Sequence, residues 1–452
     1  MPAEAAPPAD DTAAALTRLA REESGRVLAL LARRFGDLDL ADEAVQDALT
    51  EAARTWGPRG VPANPPGWLL AVARRKAIDR LRRTSSAWRR TMAAAPELAA
   101  DAMSAAGDGG AAPSHRRPLL VDDDPGDNPV DDDRLRLMLL CCHPALGREA
   151  QTALTLRLVG GLSVPEIAAA FLLSEATLAQ RIVRAKRKIR DAGIPLRIPA
   201  DLDTRIEVVL SVLYLVFNEG YLSRGHSGDV VRVDLVDEAV RLTELLGELV
   251  PDHPEVLGLL ALQRFHRARL ATRTDAAGEL VLLEDQDRAR WDRAEIAAAN
   301  AVLHRAISRM RPGPYQLQAV IAGYHANAPS AAATDWPAIA AAYRQLVAMT
   351  GSPVVQVNHA VAVAMVDGAE AGLAVLDALA GVDGYHLFHA ARAELLARAG
   401  RPAEAAAAFT RARALTDNPA EQRHLARRRQ EAEQPPAPGP GAGRRVTPSG
   451  SS

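Results

Sequence analysis

The chain has 452 residues, enough for about three domains, and its net charge of −2 excludes a protein that binds nucleic acid through its bulk charge. Aromatic residues make up only 4% of the chain, so alanine and leucine must fill most of the core, and this favours helices. The only two cysteines, Cys141 and Cys142, are adjacent, which excludes a disulfide framework and fits a reducing cytoplasm.

Two helices are predicted near the start. Residues 1–11 are rich in Ala and Pro and are expected to be disordered, and apolar residues then recur at helical spacing from Leu16 to Phe35. A second helix begins near Leu40, with Ala and Leu positions forming its buried side. Its other side is predicted to be an exposed acidic face, which carries Asp39, Asp42, Glu43, Gln46, Asp47 and Glu51. Such a face suits a basic partner.

A proline loop and a basic helix come next. Residues 57–67 contain four prolines and are predicted to form an exposed, non-helical connection. The following helix has Trp68 near its start, and its exposed side carries Arg74, Arg75, Lys76, Arg80, Arg82 and Arg83, opposed by Asp79 alone. A basic stripe of this kind is typical of a nucleic-acid-binding surface.

Residues 89–130 are predicted to be a flexible linker, because they are rich in Ala, Gly, Pro and Asp and have no sustained period. Its acidic end, from Asp122 to Asp133, could mimic nucleic acid or could be a solvated tether that caps the next helix. That helix contains Cys141 and Cys142, which lack the spacing of a zinc site and are expected to be buried. No metal site is predicted.

Residues 163–190 read as two short helices separated by a tight turn. Ser163 and Glu166 have the spacing of a capping box, and Ser174 is a second N-cap. This is helix-turn-helix spacing. The second helix is predicted to present polar and basic residues suited to a DNA major groove: Ser174, Thr177, Gln180, Arg181, Arg184 and Lys188, with Lys186, Arg187 and Arg190 nearby. The alternative is a solvated, arginine-rich surface helix.

Beyond residue 199 the chain is predicted to be a helical extension. It opens on the apolar run 208–217, which is too short for a membrane span, and a strand-like segment is expected at 280–283. Asn218, Glu219 and Tyr221 could line a site or could form a structural joint. The segments at 368–371 and 400–405 are similar and 32 residues apart, and this approximates a tetratricopeptide (TPR) pattern. The tail 434–452 is expected to be disordered.

No catalytic constellation is present. The histidines of the extension have no cysteine or carboxylate at ligand spacing, and no Gly-rich loop follows a strand. The sequence therefore predicts a protein that is not an enzyme and needs no cofactor.

In order and spacing, three stretches of the chain resemble an extracytoplasmic-function (ECF) sigma factor of bacterial RNA polymerase. They are DLADEAVQDALTEAARTW at 39–56, PPGWLLAVARRKAIDRLRR at 65–83, and the helix-turn-helix at 163–190. The run VVLSVLYLVFNEGYLSRG at 208–225 further resembles the opening of the helical extension found in one subgroup of that family.

The resemblance implies an all-α chain with a sigma-2 domain at 12–88 and a sigma-4 domain at 131–198, followed by a TPR-like extension at 199–433. It also implies two partners, core RNA polymerase (its clamp helices and flap) and promoter DNA. Residues expected to face polymerase are Asp39, Asp42, Glu43, Gln46 and Asp47. Those expected at the minus-ten element are Asn64, Trp68, Arg74, Lys76, Asp79, Arg80 and Arg83, and the helix-turn-helix set is expected at the minus-thirty-five element. Trp68 could equally be a core anchor.

Three classes of function compete. An ordinary helix-turn-helix regulator with a helical sensor domain, or a repeat scaffold, has no use for the acidic helix and the basic helix that follows the proline loop, so the sigma interpretation is preferred. We expect a cytoplasmic protein with no membrane contact. The extension lacks a comparable basic stripe and is expected to bind protein, and the run 208–217 is expected to hold the two DNA-binding modules in a compact arrangement.

Overall fold

The structure is a computed structural model that describes residues 9–93, 129–171, 173–199, 201–221, 231–276, 279–416 and 418–433. Within these ranges every regular element is a helix, apart from one isolated antiparallel bridge between Thr274 and Leu280. The all-α prediction is confirmed. The strand predicted at residues 280–283 is wrong, because a short apolar segment with no neighbouring strand has no sheet to join. No helix in the described ranges is long and apolar enough to cross a membrane.

The chain divides into two compact units. Unit 1 consists of Met1–Gly220 and Asp234–Pro251, and unit 2 consists of Tyr221–Val233 and Asp252–Ser452. The helices that lie wholly or almost wholly in unit 1 are α1 (Ala9–Phe35), α2 (Leu38–Arg59), α3 (Pro65–Ala93), α4 (Pro129–Cys141), α5 (Arg148–Leu154), α6 (Val164–Ala170), α7 (Glu175–Asp191), α8 (Leu202–Tyr221) and α9 (Val233–Leu249). A single π-helical turn, Thr155–Val159, continues α5.

The proline loop is shorter than predicted. Pro58 lies in the last turn of α2, where a proline removes only one hydrogen bond near the helix end, and α3 begins at Pro65. Pro65 and Pro66 occupy the first turn of α3, where the backbone N–H groups have no intrahelical partner in any case. The non-helical connection is therefore residues 60–64.

Helical structure also extends into the segments predicted to be disordered or flexible. Helix α1 begins at Ala9, α3 continues to Ala93 and α4 begins at Pro129. Most of the predicted linker, including Asp122 to Asp127, lies outside the described residues, as does the tail. Asp133 is buried and pairs with Arg33 of α1 at 2.9 Å and Arg136 at 2.7 Å. For Asp133 the prediction of a solvated tether is wrong.

The adjacent cysteines are buried and free, as predicted. Burial raises the pKa of Cys142 to about 12 and that of Cys141 well above its ordinary value. Both thiols therefore stay protonated near neutral pH and serve as small apolar core residues.

Unit 2 is built from consecutive helices that pack on their neighbours. They are α10 (Pro254–Arg267), α11 (Arg293–Ile307), α12 (Pro314–Asn327), α13 (Trp336–Thr350), α14 (Pro353–Asp367), α15 (Ala369–Asp377), α16 (His386–Arg398), α17 (Pro402–Ala414) and α18 (Pro419–Glu433). Two 3-10 turns, Leu270–Thr272 and Arg288–Arg290, lie between α10 and α11. Ala393, Ala405, Phe409 and Ala412, the residues behind the repeat prediction, are buried in one core cluster.

Candidate polymerase and DNA interface

The helix-turn-helix forms through the caps that the sequence predicts. The Ser163 hydroxyl accepts a hydrogen bond from the Glu166 N–H at 3.3 Å, and the Glu166 carboxylate accepts one from the Ser163 N–H at 2.7 Å. Ser174 caps α7 by accepting from the Thr177 N–H at 3.1 Å. The buried stripe of α7 is Leu178, Ile182, Ala185 and Ile189, as predicted. The two helices thus start where local hydrogen bonding places them.

One side of α7 is open to solvent. Of the predicted DNA-facing residues, Ser174, Thr177, Gln180, Arg184 and Lys188 are exposed and Arg181 is half-buried. Gln180 accepts a hydrogen bond from Arg184 at 3.2 Å, and Arg181 pairs with Glu149 at 2.7 Å. This side therefore combines neutral hydrogen-bonding groups with guanidinium groups, which is what readout of base edges needs.

The other side of α7 is attached to the acidic helix α2. Lys186 is buried, donates a hydrogen bond to Asp42, and lies 3.6 Å from an oxygen of Asp39. Arg190 pairs with Asp39 at 2.5 Å. We call these four residues the clasp. Asp42 is only 7% exposed, so its prediction as a surface acid is wrong, because Lys186 covers it.

The rest of the acidic face of α2 pairs with α3. Arg80 donates hydrogen bonds to Asp47 at 2.8 Å and to Glu43, and the bond to Asp47 is the main reason that the pKa of Arg80 is raised. Glu51 pairs with Lys76 at 2.5 Å, and this hydrogen bond lowers the pKa of the Glu51 carboxyl. Residues predicted to face two different partners, polymerase and promoter, are thus bonded to each other in this conformation.

The remaining residues of the predicted minus-ten set have local roles or are exposed. Asn64 accepts the Gly67 N–H at 3.0 Å and so starts α3. Trp68 is half-buried and packs edge-to-face on the buried Trp56, with ring centroids 5.4 Å apart, which favours the core-anchor alternative for Trp68. Arg74 and Arg83 are exposed and Asp79 is half-buried, as is Gln46 of the set expected to face polymerase.

Two glycines allow α1 to approach the helix-turn-helix module closely. A Cβ at Gly25 would lie 2.8 Å from the Val159 carbonyl oxygen, and one at Gly161, which has a φ of +73°, would overlap the Ala20 carbonyl oxygen. Arg21 of α1 also pairs with Glu166 at 3.4 Å. Sequence reasoning missed this contact. A glycine inside a helix costs about 1 kcal/mol relative to alanine. The presence of Gly25 within α1 was therefore the one sequence feature that could have indicated a close packing contact at this position.

Helices α8 and α9 also contact the helix-turn-helix module. Arg205 of α8 bonds to His143 at 3.3 Å, and Arg241 of α9 donates to the Gly160 carbonyl oxygen at 3.4 Å. Glu238 is 2% exposed and pairs with Arg241 at 2.6 Å, and burial raises the pKa of its carboxyl. These hydrogen bonds hold α8 and α9, the first two helices after residue 199, against the helix-turn-helix module within unit 1.

Metal chemistry finds no support in the described ranges, where no group of three or more His, Cys, Asp or Glu side chains could hold a metal ion.

Three family models match the chain. Residues 19–87 match sigma-70 region 2, residues 136–189 match sigma-70 region 4, and residues 205–307 match a family of unknown function (DUF6596). The third match begins in α8 of unit 1 and continues into unit 2. No solved structure matches the chain.

Two curated relatives differ in how much they cover. An uncharacterized protein of Rhizobium meliloti (strain 1021) is 43% identical over 403 residues, which span 88% of this chain and 92% of that protein. The probable ECF RNA polymerase sigma factor SigI of Mycobacterium tuberculosis is 28% identical over 194 residues, which span 39% of this chain and 61% of SigI. The chain therefore belongs to the family of the Rhizobium protein, and it joins sigma-70 regions 2 and 4 to a helical extension.

Proposed function

We propose that this protein is an ECF-type sigma factor that binds core RNA polymerase through α2 and directs promoter-specific initiation, in the cytoplasm where polymerase works. Helix α3 and the loop before it contact the minus-ten element, and the open side of α7 contacts the minus-thirty-five element. Basic side chains on α3 suit an unstacked single strand, which aromatic and guanidinium groups can hold.

The order of elements along unit 1 carries this proposal. An acidic helix is followed by a proline-bounded basic helix and then by a doubly capped helix-turn-helix, over residues that match regions 2 and 4. A regulator that only binds an operator needs the last of these three elements and not the first two.

The described conformation is a closed, inactive one under this proposal. Asp39 and Asp42, two of the five residues assigned to polymerase, are bonded to Lys186 and Arg190 of α7. Polymerase and α7 cannot bind the same carboxylates at once. Activation therefore requires α2 and α7 to separate.

The extension supports the closed state. Helices α8 and α9 belong to unit 1 and contact the helix-turn-helix module, whereas the stacked helices of unit 2 offer a surface of the kind that binds a regulatory protein. The chain thereby carries its own regulator.

Promoter-dependent transcription with purified core polymerase tests the proposal. Addition of the full-length chain is expected to yield transcripts that begin at a defined site on DNA upstream of its own regulon genes. A chain that binds DNA yet never co-purifies with core polymerase would instead favour the second candidate, a helix-turn-helix regulator with a helical sensor.

Replacing Arg184 with Ala tests the role of the open side of α7. If Arg184 contacts a base, the loss is expected to weaken promoter binding by about 1–3 kcal/mol and to relax specificity at that base. If it contacts only phosphate, binding falls evenly across sequences and the salt slope decreases by about one. Footprinting over a salt series distinguishes the two. Arg411→Ala, an exposed arginine of α17, is the control. If Arg184→Ala and Arg411→Ala have equal promoter activity, the open side of α7 does not contact promoter DNA through Arg184.

A further inference from the structure

Two arginines of unit 2 stack on one aromatic ring. The Arg273 guanidinium lies 3.7 Å from the centroid of the Tyr221 ring, and that of Arg269 lies 5.4 Å from it. A third guanidinium, that of Arg288, lies over Trp291 and donates to two main-chain carbonyl oxygens, those of His325 and Ala328. Burial lowers the pKa of Arg269, and the positive charges of Arg273 and Arg288 lower it further.

No carboxylate of the described residues pairs with Arg269 or Arg273. The acid on the neighbouring helix, Glu295 of α11, is already bonded to Arg264 at 3.7 Å and to Arg267 at 2.7 Å. The two stacked guanidiniums thus retain donors and a net charge that no carboxylate in the described part of the chain balances.

Two neutral polar side chains, His266 and Gln263, lie on α10, the helix that precedes Arg269. His266 accepts a hydrogen bond at Nδ1 from Arg269 at 2.8 Å, and its ring contacts Tyr221 with centroids 4.9 Å apart. Burial, helped by the charge of Arg269, holds the pKa of His266 well below its ordinary value, so the ring is neutral. One turn earlier on the same face of α10, Gln263 is 0% exposed. Neither amide atom of Gln263 has a hydrogen-bond partner within the part of the chain described.

The close guanidiniums and the unpaired Gln263 amide raise the free energy of the folded state unless a bound group compensates them. Like charges held together in a partly desolvated place repel each other, and a buried amide with both atoms unpaired costs free energy. An anion supplied from outside relieves the repulsion between the guanidiniums, and it relieves the second cost as well if it accepts a hydrogen bond from the Gln263 amide.

We propose that Arg269, Arg273, His266 and Gln263 form a binding site for a small molecule that carries an oxyanion group, a phosphate or a carboxylate. Guanidinium groups recognise both oxyanions through paired N–H donors. Arg269 and Arg273 are half-buried rather than on an open stripe, which suits a small ligand and not a polynucleotide. The site lies in unit 2 and does not depend on the sigma factor role.

Thermal unfolding of the full-length chain in inorganic phosphate and in acetate, against chloride at matched ionic strength, tests the site. The expected result is a saturable rise of the unfolding midpoint of unit 2 with phosphate or acetate and no rise with chloride. A phosphate ligand gives the larger rise with phosphate, and a carboxylate ligand gives it with acetate.

Arg273→Gln is expected to abolish the saturable rise and, without ligand, to raise the midpoint because it removes a repelling charge. If Arg273 serves only to pack on Tyr221, the variant instead lowers the midpoint in chloride and leaves any anion effect in place. Arg411→Gln, on the exposed side of α17, is the matched control and should respond to anions as the parent does. The proposal is overturned if chloride stabilises equally, or if Arg273→Gln keeps the full phosphate and acetate response.

Discussion

Replacing Lys186 with Glu is expected to open unit 1 and to increase binding to core polymerase. Lys186 covers Asp42, whose second oxygen, Oδ1, is buried with no hydrogen-bond partner in the described ranges. The substitution places two carboxylates together where they are largely removed from water. Breaking a buried ion pair costs about 3–5 kcal/mol, which would shift the closed-to-open equilibrium on the order of a hundredfold or more.

Small-angle scattering and co-purification with core polymerase measure the two consequences separately. Lys186→Glu should increase the radius of gyration of the free protein and raise the fraction bound to polymerase. Arg187→Glu is the control, because it makes the same charge change one residue along, on an exposed side chain that pairs with Asp191 of its own helix.

A charge exchange distinguishes the closed state from the polymerase contact. Asp42→Lys combined with Lys186→Glu is expected to restore the compact form, since the pair is re-formed with opposite polarity. The exchanged protein should still bind polymerase poorly if Asp42 is itself a polymerase contact. Expansion by Arg187→Glu equal to that by Lys186→Glu would contradict the assignment of the clasp.

The second large effect concerns where the chain can be cut. Ending it after Pro199 removes α8, in which seven apolar residues are each at most 1% exposed: Ile206, Val209, Leu210, Val212, Leu213, Val216 and Phe217. Burial of such side chains contributes about 1.5–3 kcal/mol each, so α8 contributes a gross burial energy on the order of 10 kcal/mol, before the entropy cost of ordering the helix is subtracted. The net stability of a typical domain is only about 5–15 kcal/mol, so the part that remains after this subtraction is a large share of it. We therefore expect this shortened chain to aggregate or to unfold at low temperature.

Ending the chain after Pro251 instead retains α8 and α9, which belong to unit 1. This protein is expected to unfold in one cooperative transition and to bind little of a dye for exposed apolar surface. Calorimetry and dye fluorescence compare the two cuts. If the chain ended after Pro199 is as stable as the one ended after Pro251, α8 and α9 do not complete unit 1, and the proposed support of the closed state fails. Comparing promoter-dependent transcription by the chain that ends after Pro251 with that by the full-length chain then measures the contribution of unit 2.

The positions of several helices and the buried side of α7 could be predicted from the sequence, because they depend on local hydrogen bonds and local periodicity. The capping box of Ser163 and Glu166 and the N-cap at Ser174 act over three residues, so the spacing alone locates α6 and α7. The buried stripe of α7 follows from helical periodicity for the same reason. The proline loop was predicted too long because prolines are tolerated in the first and last turns, and composition does not distinguish those turns from a loop.

Tertiary structure decided which face of each helix is available. The sequence indicates an acidic α2 and a basic α7, but the bond from Lys186 to Asp42 joins residues 144 positions apart, and no local pattern specifies it. Gly25 and Gly161 permit the close approach between α1 and the segment around Val159, which precedes the helix-turn-helix. The Arg269 and Arg273 pair on Tyr221 is likewise assembled from a helix end and a distant loop. Local hydrogen bonds and periodicity therefore set the elements of this protein, whereas long-range packing and charge pairing set which of its charges remain free for a partner.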